Sequence, residues 1–405
     1  MTAKPTTGAT YIIAQFGAFT GFALLRVTTP GVATQIAVAP IDTAISAGGS
    51  VQLNAIVRDA FNDPVATAIT WQSLDPSTIS VSGNGLVQSL GPTGLARVRA
   101  STSDDSLAVI ATVTVLDTIL SGRTRVRNRS YAAAVSPANV AFVSQSDLAL
   151  VLRLNLPSQV MADSVTVGNT PTEMAFNATG TRLYVTNQYS GTISVIDVAT
   201  NAVIDAIPVG NRPFEVIVEP GDSILWTGKI DSLYAIRLAT KEIIARFQIG
   251  DVGNGVAIAH DTLLYVSTHA TGTVVEINLC TRSLGRTFAV GGVPQKLVVS
   301  PDGTELYIAN ESGYIQFWDL VTGLQIGSNL VLPAAAYGLA RRPSTGLLYA
   351  TSAYFGGGYI YVIDPVSRTL VYSTVVGGST RHVVFTADGS GGLVPNEAGW
   401  VDFIR

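Results

Sequence analysis

The sequence predicts an all-β protein, and three observations carry that prediction. The 405-residue chain holds 39 glycines and 18 prolines among many Val, Ile and Thr residues, the mixture of pleat-filling side chains and turn formers that strands joined by tight turns require. No long stretch places apolar residues at i, i+3, i+4 and i+7, the spacing of an amphipathic helix. One passage also returns: "LYVTNQYSGTISVIDVATNAVIDAIPVG" at 183–210 comes back as "LYVSTHATGTVVEINLCTRSLGRTFAVG" at 264–291 and as "LYIANESGYIQFWDLVTGLQIGSNLVL" at 306–332. Self-similarity at a fixed period is the mark of a repeat architecture.

Composition narrows the function classes. Only 13% of residues are charged and 47% are hydrophobic, so large cores are affordable and the length suits two or three domains. The formal net charge is −4 and no stretch is strongly basic, so no nucleic-acid partner is expected. Cys280 is the single cysteine; it allows neither an internal disulfide nor a cysteine metal cluster. No cofactor is expected.

The apolar run Tyr11–Leu25 is too short to span a membrane comfortably and is interrupted by Gln15, Gly and Thr residues. Residues 7–28 align without gaps on 93–114: Thr7-Gly8 meets Thr93-Gly94, Ala14 meets Ala100, and Val27-Thr28 meets Val113-Thr114. Residues 1–33 are therefore expected to be the closing hairpin of a truncated preceding repeat, not an export signal or a membrane insertion. On that reading the chain is the C-terminal part of a longer protein.

Residues 34–116 show short strands with turn signals every 8–12 residues, the pattern of a β-sandwich. An alternating strand carries Val51, Leu53, Ala55 and Val57, Trp71 is the expected core aromatic, and Gly83-Asn84-Gly85 reads as a hairpin turn. Asp104 and Asp105 fall in another turn and read as solvated. The order W-x-S, D-P, G-x-V, G-x-A-x-V resembles the bacterial Ig-like group 2 family. That resemblance implies an Ig-like domain serving as a spacer or adhesive module in a cell-surface or secreted protein.

From residue 131 the chain divides into units of about 40 residues, beginning near 131, 171, 213, 253, 294, 336 and 380. Each unit has four strands, A to D, which predicts a blade of a β-propeller, and seven units predict seven blades. Tyr184-Val185-Thr186-Asn187 and its weaker copies at 265–268 and 307–310 resemble the YVTN family of β-propeller repeats. The last unit stops after strand C, and "TRVRNRSYAAAVSP" aligns with "IPVGNRPFEVIVEP". A strand within 118–126 is thus expected to complete the final blade from the N-terminal side, removing an open edge. The expected division is 1–33, 34–116 and 117–405.

Several columns look chemical. Asn155, Asp197, Arg237, Asn278, Asp319 and Asp364 end strand C, each followed three residues later by Ser or Thr, and read as turn residues, not metal ligands. Arg123, Arg125, Arg127 and Arg129 alternate and read as a solubilising face of an outer strand. His260 and His269 have no third histidine at metal spacing. Strand A begins with mixed polar and aromatic residues that would surround a central channel, so the candidate ligand-binding residues are Tyr131, Glu173, Arg212, Glu215, Asn254, Lys296, Tyr337, Arg381 and His382. Phe214 shares that column, and the B–C loops add Asn187, Tyr189, His269, Glu311, Tyr354, Phe355 and Glu397. No catalytic or metal residue stands out.

The expectation is an exported bacterial binding or adhesion protein, monomeric, placed at the cell surface, outside the cell or in the periplasm. Its propeller would recognise a glycan or a surface protein through the channel face. The rival readings are a propeller enzyme of lactonase or lyase type, which the resemblance also implies, and a purely structural scaffold. A buried ion pair or a strongly shifted histidine in the channel would favour the enzyme, and exposed aromatics on the rim would favour binding.

Overall fold

The computed structural model describes residues 8–17, 19–27, 31–90, 94–116, 119–127, 129–210, 212–251, 253–353 and 357–405. The chain divides into two compact units, 1–118 and 119–405. The expected B–C loop aromatics Tyr354 and Phe355 lie outside the described residues.

In the first unit the apolar run forms a hairpin, Gly8–Phe16 paired antiparallel with Phe19–Val27. Among the described residues no helix is long and apolar enough to cross a membrane. Beyond it, one four-stranded sheet joins Asp42–Ser46, Ala108–Leu116, Gly94–Thr102 and Ile69–Ser73. A three-stranded sheet joins Ser50–Gln52, Leu86–Ser89 and Ile79–Val81, and Ala33–Ala39 pairs with Asn54–Asp59. Period-two alternation drives this arrangement: Ala96, Val98 and Ala100 are buried and face Val113, Ala111 and Val109 in register.

The strand expected through Val51–Val57 is broken at Leu53, whose fully buried side chain enters the core while its flanks join different partners. Trp71 is half-buried against that core, not central to it. Its indole leans on Gly85, which has φ +85°, and a Cβ there would come within 2.9 Å of the ring. The turn therefore needs glycine on two grounds, backbone sign and space. Asp105 pairs with Arg99 at 2.6 Å and Asp104 accepts from Thr102 at 2.6 Å, so both aspartates are turn residues.

Among the described residues the second unit holds seven antiparallel sheets. Five have four strands in chain order, at 130–166, 171–208, 216–248, 253–289 and 339–375. In the sheet at 294–331 the outer strand is split into Leu324–Gln325 and Leu330–Val331 around Gly327, which has φ +69°. The last sheet contains Val384–Phe385, Gly392–Asn396 and Trp400–Ile404, and its fourth strand is Leu120–Arg125, paired antiparallel with Trp400–Ile404. Sheets of this kind resemble the blades of a propeller. Strands B and C read as continuous apolar runs because both sheet faces are covered: Leu183, Val185 and Ile196 of the second sheet share a cluster with Phe142 and Val151 of the first. Strand D is largely exposed, as Ser283–Ala289 illustrates.

The turn columns are structural. Asp197 accepts from Thr200 N at 2.9 Å, Asn278 from Thr281 N at 2.8 Å, and Asp319 from Thr322 N at 2.8 Å. The arginine alternation is not simply solubilising. Arg123 grips Asp402 with Nε at 2.6 Å and Nη2 at 3.2 Å, donates to Val376 O at 2.8 Å, and lies 4.4 Å from the Trp400 ring centroid. Asp402 is fully buried, and a buried carboxyl demands a partner.

Candidate functional site

The site is built by a repeated irregularity in strand A. In the second sheet Pro171 pairs with Asn187 and Met174 with Val185, so strand A uses three steps where strand B uses two. Similar register shifts occur at Ser130/Ala133, Gly253/Gly255 and Pro294/Leu297. The extra residue of such a bulge bends the strand and re-aims its side chains.

Buried hydroxyls on strand B hold these bends. Thr186 Oγ1 accepts from Glu173 N at 3.0 Å and donates to Phe214 O in the next sheet at 2.9 Å. Ser144 does the same between Ala132 N and Thr172 O, and Ser267 donates to Gln295 O at 2.6 Å. The threonine of the Tyr-Val-Thr-Asn stretch thus ties one sheet's bulge to its neighbour. The asparagine position at the end of strand B is also structural: Asn187 is fully buried and donates to Thr192 and Ser194, and Asn310 and Asn396 donate to the D–A carbonyls of Gly291 and Gly377.

The strand-A residues then meet. Lys296 Nζ lies 2.8 Å from Glu173 Oε1 and 2.5 Å from Glu215 Oε2, and His382 Nε2 is 3.4 Å from Glu173 Oε2. Ala133 N–H points at His382 Nδ1 at 3.5 Å, which places the imidazole proton on Nε2. Beside this cluster the Tyr131 and Tyr337 hydroxyls are 3.1 Å apart, and Phe214 meets Tyr131 edge-on at 5.9 Å. The Arg381 guanidinium lies over both tyrosines, 5.5 and 4.9 Å from their centroids, and its Nε pairs with Glu397.

Of the nine expected residues, seven therefore converge: Tyr131, Glu173, Glu215, Lys296, Tyr337, Arg381 and His382. Asn254 is also buried, bonded through Nδ2 to Gln295 Oε1 at 3.0 Å. Arg212 stays apart, exposed, with φ +53° and its guanidinium 5.5 Å from the Tyr189 ring. Sequence reasoning missed Gln295, which is fully buried with Nε2 unpartnered. It stands one residue before Lys296, as Phe214 does before Glu215, and that column was the available signal. A cavity of about 470 Å³ opens beside Arg129, Ser379, Arg381 and Glu397. A larger cleft of about 540 Å³ lies at the opposite strand ends, near Asp302 and Arg368, and does not include the cluster.

Burial dominates the electrostatics. It pushes the Glu215 carboxyl up to about 8, with Lys296 opposing and Glu173 reinforcing the shift. Burial also lowers His382 to about 4, against the pull of Glu173. For Lys296 burial acts downward, but the two carboxyls outweigh it and hold the amine above its ordinary value. Among the described residues no group of three or more His, Cys, Asp and Glu side chains is placed to hold a metal ion.

The Glu215 shift has a pH signature. From its ordinary value of 4.5 up to about 8 the unfolded chain has released a proton that the folded chain retains, so this group's contribution to stability falls as pH rises through that window. Glu215→Gln mimics the protonated carboxyl. Its unfolding midpoint should gain on the wild type between pH 5 and pH 8 and run parallel above that; parallel midpoints throughout would show that Glu215 ionises normally.

No protein-family model matches the chain, and no curated protein matches it. Many solved structures do. One is a chain of hydrazine synthase from Kuenenia stuttgartiensis, with a TM-score of 0.62 and 19% identity, covering 70% of this chain and 97% of that one. The likeness is one of fold: both carry the repeated antiparallel sheets of a β-propeller.

Proposed function

We propose that residues 119–405 form a closed seven-bladed propeller of the YVTN type, completed by the strand Leu120–Arg125. The propeller acts as the binding module of an exported bacterial surface or secreted protein, with residues 34–116 as an Ig-like group 2 spacer. Its ligand is a glycan or a surface protein, taken on the face that carries the D–A and B–C loops.

One observation supports binding above the alternatives: the charged groups at the centre engage one another, while the loop face presents exposed groups. Lys296 sits between two carboxyls and Arg381 is paired with Glu397. On the loop face Tyr189 is 66% exposed, and Arg129 and Arg212 stand at equivalent positions with positive φ.

The enzyme reading has support of its own in the buried ion pair and the depressed histidine. Its weakness is that both nitrogens of His382 already face protein groups, so the imidazole offers no free lone pair to a substrate.

The test is a screen of the full chain against arrayed glycans and cell-envelope proteins, run beside lactone-hydrolysis and polysaccharide-lyase assays. Retention of a defined glycan or protein at micromolar affinity or tighter, without turnover, is expected. Turnover would favour the enzyme, and neither binding nor turnover would favour the scaffold.

A further inference from the structure

The second and third sheets of the 119–405 unit carry, at their loop ends, a set of cations that meet aromatic rings instead of carboxylates. Arg212 lies over Tyr189, and Lys229 Nζ and the Arg246 guanidinium lie 4.4 and 5.2 Å from the centroid of Tyr234. Among the described residues none of the three cations forms an ion pair, whereas Arg123, Arg182, Arg237, Lys241, Arg282 and Arg286 all do. In a chain of formal net charge −4, three cations without a carboxylate partner, set against the exposed Asp231 two residues from Lys229, leave this surface locally positive.

The groups belong to one surface. Lys229 reaches from the B–C loop of the third sheet onto Val209 O at 2.9 Å, in the same D–A connection that carries Arg212. That connection is bonded to the B–C loop of the second sheet through Val209 N to Gly191 O at 2.9 Å, two residues beyond Tyr189. Tyr189 is 66% exposed although its ring already meets a guanidinium.

We propose that this patch binds an acidic glycan, a sugar chain bearing carboxylate or sulfate groups. The inference rests on the binding reading above and supplies its ligand class. A guanidinium pairs with carboxylate or sulfate through parallel N–H donors, and Lys229 adds a point charge. The exposed ring of Tyr189 offers an apolar face with a polar tip, which the C–H face of a pyranose can cover. An acidic sugar matches the ring and the cations together. An acidic peptide would match only the cations.

The experiment measures binding of the full chain to oligogalacturonate, to heparin-derived oligosaccharides, to neutral dextran and to poly-glutamate, at low and physiological salt. The variants are Tyr189→Ala with Arg212→Ala, Arg246→Ala, and Arg237→Ala as a charge-matched change at the other end of the third sheet. The expected result is binding to at least one acidic oligosaccharide but not to dextran, weakened about tenfold or more in the double variant, weakened less by Arg246→Ala, and unchanged by Arg237→Ala. Unfolding midpoints establish that each variant is folded.

Equal binding of poly-glutamate would overturn the assignment, because the patch would then read charge alone. Binding of an acidic oligosaccharide that survives the double variant would overturn the patch while leaving the propeller a binding module. No binding to either acidic oligosaccharide would overturn the ligand class, whereas loss of the binding reading itself would require the broader screen to be empty as well.

Discussion

Replacing Lys296 by methionine should destabilise the 119–405 unit by about 3–5 kcal/mol, the usual consequence of removing one partner from a buried ion pair. Lys296 is 7% exposed, and Glu173 and Glu215 are 2% and 5% exposed. Without the amine two carboxyls face each other in a dry site, with only His382 beside Glu173. Urea unfolding measures the loss. The triple change Lys296→Met with Glu173→Gln and Glu215→Gln should recover most of it, because what harms the single variant is the uncompensated charge. Equal stability of Lys296→Met and wild type would mean that the carboxyls are solvated and the cluster is open.

Asp402→Ala should have an effect of similar size, about 3–5 kcal/mol by the same reasoning. Arg123 is 11% exposed at its side chain and would lose both hydrogen bonds to the Asp402 carboxylate. The consequence extends beyond the pair. Leu120–Arg125 is the outer neighbour of Trp400–Ile404, so freeing it uncovers a strand edge able to pair with another chain. Concentration-dependent aggregation should therefore accompany the loss of stability, and amide exchange in 120–125 should rise before the rest of the unit opens. Asp402→Ala that unfolds like the wild type, with 120–125 still protected, would show that the backbone ladder alone holds the strand.

Both effects turn on pairings that sequence alone could not supply. The repeat period and the count of units are readable because each unit buries the same pattern of apolar side chains, and the strand-A column is readable because polar and aromatic residues interrupt that pattern. Which members of the column touch is decided between sheets distant in the chain: Lys296 and Glu215 are 81 residues apart, and Arg123 and Asp402 are 279 apart. No local periodicity encodes such contacts. The bulges were equally hidden, since an extra residue in strand A leaves the length of the repeat unchanged. Arg212 was legible as a loop residue of the right kind, but its separation from the central cluster follows from a left-handed backbone and a ring in another loop. In the first unit, the break at Leu53 was missed because alternation through Val51–Val57 satisfies either one strand or two.

The binding reading depends most on a centre that is closed and internally neutralised, and His382 reports on it. The chain has three histidines, so a ¹⁵N-histidine NMR titration of the full chain resolves each imidazole, with His382→Gln assigning the signal. A His382 ring that keeps its proton on Nε2 and stays neutral from pH 8 down to pH 5, charging only near its depressed value of about 4, is the result predicted here. Titration near the ordinary value of 6.5 would contradict it, placing His382 in water and making the centre, not the rim, the place to look for chemistry.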